Sequence, residues 1–111
     1  MVTLVAQFTI KAGAVSRAMK LVNAVRQHAD HEEPGTLLYL VHRTLDENQK
    51  KTRTLLFYEC YRDQRALTAH LTGSSWKALV KAWGQCFEGS VSNIAVTKVR
   101  RIGGFVHLEV P

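Results

Sequence analysis

The sequence predicts an α+β fold in which helical segments interrupt strands in the order β-α-β-β-α-β. Three observations predict it. Residues 2–10 alternate in the period of two that a strand requires, with Leu4, Ala6, Phe8 and Ile10 on one face. Residues 14–30 repeat apolar side chains at spacings of three and four, the signature of one helix face. Two further apolar runs, TLLYLVHR (36–43) and LLFYECY (55–61), then follow each other with only a polar loop between them.

Each element has its own warrant. Gly13 separates the first strand from the first helix, whose stripe is Val15, Ala18, Val22, Val25 and Ala29, widened by Leu21 and His28. Pro34 and Gly35 close the connection to the second strand, proline lacking an amide donor and glycine tolerating positive φ. That strand is apolar on both faces: Leu37, Tyr39 and Val41 on one, Leu38, Leu40 and His42 on the other. The loop 44–53 leads into the third strand, 54–61. Asp63 is placed to cap a short helix ending near Leu71, Gly73 interrupts, and Ser74 can cap a second helix reaching Glu88. Its stripe is Trp76, Leu79, Val80, Trp83 and Phe87. A fourth strand is expected over 93–102, and FVHLEV (105–110) is expected as a tail or a short fifth strand.

This order is the ferredoxin-like arrangement: a four-stranded antiparallel sheet with both helical regions on one face. The opposite face is bare within one chain. Because the second strand is apolar on both sides, that face is expected to pack against a second copy in a face-to-face homodimer, with Tyr39 and Tyr58 as candidates for the interface.

Composition narrows the classes. A chain of 111 residues suits one domain, read here as 1–111, and 46% hydrophobic residues supply a core. No apolar run approaches the roughly 20 residues of a membrane span. The first ten residues have no cleavable signal pattern, so a soluble cytoplasmic protein is expected. Cys60 and Cys86 lack paired-cysteine spacing, and Cys60 should face away from Glu59 toward the dimer side. The net charge of +6 comes from scattered clusters that read mostly as solvated surface. RIGGFVHL (101–108) echoes an RNA-binding motif but has Gly103 in place of its first aromatic and lies beyond the fourth strand, so no nucleic-acid partner is expected.

The chemistry-bearing stretch is LLFYECYRDQRALTAHLTGSSWKAL (55–79). Phe57, Glu59 and Tyr61 share one strand face; His70 and Trp76 follow on the helices. A carboxylate among aromatics is unusual, and a plain salt bridge from Glu59 to Arg62 or Arg43 is the structural alternative to a catalytic role. His70 on an apolar helix face reads as a buried, hydrogen-bonded histidine or as an acid–base group.

The blocks EPGTLLYLVHR (33–43), YECYRD (58–63) and ALTAHLTGSSWKAL (66–79) resemble the antibiotic biosynthesis monooxygenase domains, which are dimeric α+β barrels. The resemblance implies a pocket between helices and sheet in each protomer. His70 and Glu59 would be its catalytic residues, and Phe57, Tyr61, Trp76 and His28 would be substrate contacts, with no metal ligand. It further implies a cofactor-independent monooxygenase that uses O2 on a quinol-like or polycyclic phenolic molecule. Imidazole suits such work because both of its forms are accessible near neutrality. Haem-degrading relatives carry a histidine near Val80 and an asparagine near Ala6, both absent here. Isomerases of the autoinducer-2 degradation type share the Glu59 and His70 positions and a histidine near His28, and so remain an alternative. A non-catalytic dimeric module that binds a small ligand is another. If His70 transfers protons from the pocket wall, its replacement by alanine should disturb folding little; if it is a core residue, the change should chiefly lower the melting temperature.

Overall fold

The computed structural model describes residues 1–107. Four strands, β1 (Val2–Thr9), β2 (Thr36–Leu45), β3 (Lys51–Tyr61) and β4 (Ala95–Val99), form one antiparallel sheet in the order β2-β3-β1-β4. Helices α1 (Val15–Glu32), α2 (Gln64–Leu71), α3 (Ser74–Lys81) and α4 (Trp83–Cys86) complete the α+β, ferredoxin-like architecture. Ala18, Val22, Val25 and Ala29 are the buried residues of α1, the stripe expected from the spacing.

Alternation decides which strand residues enter the core. Leu4, Ala6, Phe8, Leu55 and Phe57 are buried beneath the helices. Phe8 stacks on Phe57 at 4.9 Å and meets Phe87 edge-on at 5.1 Å, while Trp83 lies 4.7 Å from Phe87. Such aromatic pairs contribute about 0.5–1.5 kcal/mol each beyond the area they bury.

Several boundaries differ from the expectation. The long helix proposed to reach Glu88 breaks at Ala82; α4 ends at Cys86 and Phe87 turns extended. Phe87 then bridges to Ile10, so the sheet takes a residue that helical spacing alone assigns to the stripe. The loop between β2 and β3 shrinks to a turn because the Asp46 side chain accepts from the backbone of Asn48 and Lys50, with Gln49 at φ 65°. β4 is shorter than 93–102 for lack of a partner: its last pair is Val99 with Thr3, and β1 starts one residue earlier. Residues 91–93 form a 3-10 turn instead. Residues 103–107 belong to no strand, and the remainder of the expected tail or fifth strand lies outside the described residues.

Gly35 is required for a different reason than positive φ, which it does not adopt. A Cβ there would stand 2.5 Å from the Cβ of Ala66, so glycine lets the start of β2 pass against α2. The Gly35 carbonyl accepts from Arg62 at 2.8 Å and fastens the same corner. No helix among the described residues is long and apolar enough to cross a membrane.

Candidate active site

A cavity of about 450 Å³ lies between the sheet and the helices. Its floor is built from helix-facing strand residues, with Leu4, Ala6 and Phe8 from β1 and Phe57 and Glu59 from β3. Leu67, His70 and Leu71 of α2 and Trp76 of α3 roof it, and Val91 and Ile94 close one side. Apolar walls with a few converging polar groups are the usual make-up of a small-molecule site.

His70 reaches the cavity because α2 buries Ala66, Leu67 and His70 on one face. The helix is started by Asp63, whose side chain accepts from the amide of Ala66 at 2.9 Å. The histidine itself is 2% exposed. Its ring packs among Tyr39 at 5.3 Å, Tyr61 at 5.5 Å and Trp76 at 6.0 Å.

The partner that orients His70 is Glu33, at the end of α1. His70 Nδ1 lies 2.9 Å from Glu33 Oε1, and His28 Nδ1 lies 2.8 Å from Oε2. The Thr36 hydroxyl donates to Oε1 at 2.9 Å. Burial works against the Glu33 carboxylate. The hydrogen bond and charge of His70, with the bonds from Thr36 and His28, outweigh it and hold the pKa below the ordinary value. A carboxylate can only accept, so Nδ1 of His70 carries a proton, and in the neutral ring the lone pair is on Nε2. Among the described residues no buried side-chain nitrogen or oxygen lacks a partner. With Nδ1 taken by Glu33, Nε2 therefore opens onto the cavity.

Glu59 has the opposite character. The Tyr61 hydroxyl donates to its Oε1 at 2.5 Å. Burial pushes the Glu59 carboxyl above the ordinary range; Tyr61 and His70 draw it back only in part, and Glu33 adds to the rise. Two carboxyl groups near one imidazole are thus driven apart, one held as an anion and the other inclined to keep a proton. Such divergence marks acid and base roles. Burial, reinforced by the negative charges of Glu59 and Glu33, also keeps the Tyr39 phenol protonated, and the same holds for Tyr61.

The proposed salt bridges to Glu59 are absent. Arg43 donates to the carbonyl of Thr52, and Arg62 lies beside Asp63. No group of three or more His, Cys, Asp or Glu among the described residues could hold a metal ion.

Residues 1–82 match the profile of the antibiotic biosynthesis monooxygenase family. The chain belongs to that family. Solved structures agree on the fold. A Caulobacter crescentus protein, provisionally described as an antibiotic biosynthesis monooxygenase, superposes with TM-score 0.76 at 19% identity over 92% of this chain and 90% of its own. A conserved Methanosarcina mazei protein gives 0.72 at 21% identity over 90% and 91%. A Pseudomonas aeruginosa protein gives 0.75 at 20% identity over 92% and 94%. No curated protein matches the sequence.

Within this antibiotic biosynthesis monooxygenase domain, Phe57, Glu59, His70 and Trp76 share the cavity wall. Tyr61 and His28 are not part of it. Tyr61 is fully buried behind Glu59, and His28 stands on the far side of Glu33. Tyr61 supports Glu59, which faces the cavity, and His28 supports Glu33, which holds His70. Tyr39, read from the sequence as an interface candidate, instead faces the helices: it pairs with Glu59 across the strands and lines the cavity. Tyr58 occupies the other face. Glu33 escaped the residue-by-residue reading. The available signal was an acidic residue beside Pro34, at the exit of a helix carrying His28, but its pairing with His70 spans 37 residues.

Proposed function

We propose that this domain is a cofactor-independent monooxygenase acting on a quinol-like or polycyclic phenolic substrate. The observation that carries the reading is the Glu33–His70 pair, which leaves Nε2 as a base over an apolar cavity while Glu59, on the same wall, is inclined to remain protonated. Nε2 takes the proton of a bound phenol or activated C–H group. The resulting anion passes an electron to O2, and the two radicals combine to a peroxide on the ring. Glu59, backed by Tyr61, donates to the peroxide oxygen as charge develops there. Loss of water leaves a quinone: one atom of O2 enters the product, the other becomes water, and the substrate supplies four electrons. Phe57, Trp76 and Tyr39 give the flat walls such a substrate needs, and Tyr39 adds a phenolic donor.

We place the active unit in the cytoplasm as a homodimer joined through the outer sheet face. Among the described residues no helix covers that face, which presents Leu40 at 48% and Val99 at 41% exposure. Sedimentation should give twice the monomer mass, and a clean monomer rejects this assembly. The catalytic reading is tested by O2 consumption against a panel of quinols and anthrones. Uptake with one-to-one product formation is expected, and its absence across the panel counts against oxygenation. The linkage of His28 and His70 through Glu33 also suits a proton-moving isomerase. That second reading predicts solvent deuterium incorporation into a sugar-like substrate without O2 uptake.

A further inference from the structure

We propose that the substrate carries an anionic group and that Lys98 reads it, an inference that rests on the oxygenase reading of the same cavity. Tyr39 pairs with Glu59, Glu59 with Leu4, and Leu4 with Lys98, so the four form one row across β2, β3, β1 and β4. All four line the cavity. Strands lie about 4.8 Å apart, which puts Lys98 about 10 Å from Glu59 across the floor. One end of the row therefore holds the proton-transfer groups and the other an ammonium. A two- or three-ring aromatic acid fills that span.

Among the described residues, Lys98 is the only Lys or Arg in the cavity wall, and it has no acidic partner. It is also shared with a neighbouring groove of about 530 Å³ lined by Arg100 and Arg101 as well as Met1, Val2 and Thr3. Among the described residues none that lines this groove is acidic. A strip of positive charge thus runs from the surface to the cavity mouth, the arrangement that draws anions inward. The competing explanation is that an inward-facing lysine on an edge strand merely discourages strand pairing between molecules. Edge protection requires no ligand preference, so binding separates the two.

The test uses a naphthohydroquinone with a carboxylate on its distal ring and its neutral carboxamide twin. Both are titrated anaerobically against Trp fluorescence, since Trp76 lines the cavity. The wild type should bind the carboxylate about tenfold more tightly, as expected for one charge-assisted hydrogen bond. The preference should shrink with added salt. Lys98→Gln should abolish it with an unchanged melting temperature, because Lys98 is exposed, and Lys98→Arg should retain it. Equal affinity for the twins, binding of neither, or a preference that survives Lys98→Gln overturns the proposal. O2 uptake is scored separately. A carboxylate preference without uptake rejects the oxygenase reading alone, whereas uptake without a preference rejects the role of Lys98 alone.

Discussion

Replacing Glu33 with glutamine keeps the shape of the side chain and removes its charge. In the native site three donors converge on the carboxylate: His70 and Thr36 on Oε1, His28 on Oε2. Glutamine offers one acceptor oxygen and one amide nitrogen, so one histidine meets a donor and must change tautomer. If it is His70, the cavity-facing Nε2 gains a proton and stops acting as a base. If it is His28, His70 keeps its orientation but faces a neutral acceptor. Turnover should fall by about 10²–10⁴-fold, the range for loss of a general base or of the carboxylate that orients it. Hydrogen bonds to a charged group contribute about 1.5–3 kcal/mol against 0.5–1.5 for neutral ones. Weakening the two histidine bonds should therefore cost about 2 kcal/mol, or roughly 8 °C in Tm at this chain length. The pH dependence has a definite sign. The folded pKa of Glu33 lies below its ordinary 4.5, so its stabilisation is complete above pH 4.5 and is lost as pH falls through the folded value. Melts of both proteins by circular dichroism should differ at neutral pH and converge in acid. Unchanged turnover with an unchanged Tm, or a Tm gap that persists unaltered into acid, refutes the orienting role.

Glu59→Gln should act in the opposite sense on stability. A raised folded pKa means the Glu59 contribution is complete below 4.5 and lost as pH rises through the folded value, so the variant should be the more stable protein at neutral pH. Its turnover should nevertheless fall about 10²-fold or more, and a lower neutral-pH Tm would contradict the assignment. His70→Ala should damage both properties. The burial of His70 and its bond to Glu33 reverse the expectation of near-intact folding, and the loss should be about 3–5 kcal/mol by thermal melt. Gly35→Ala should lower the urea midpoint by the equivalent of about 1–3 kcal/mol with an unchanged m-value, because its Cβ collides with α2.

Local pattern was enough for the element order and for the faces of β1, α1 and α2. The alternation of Leu4, Ala6 and Phe8, the α1 stripe from Ala18 to Ala29 and the Asp63 cap each depend on neighbours a few residues away, and such short-range periodicity is written directly in the chain. The same logic places Phe57 and Glu59 on one strand face and His70 on the buried side of α2. What the chain order does not encode is which distant groups meet. Glu33 pairs with His70 across 37 residues, and only the docking of the α1 end against α2 makes that carboxylate part of the site. Tyr39 could have faced either side of a strand apolar on both, and the pairing with Glu59 decided it. Tyr61 and His28 moved behind the wall because Glu59 and Glu33, respectively, engage them. Phe87 left the helix because the sheet offered Ile10 a partner. In each case the deciding contact is long-range, and its free energy exceeds the local preference that a sequence pattern records.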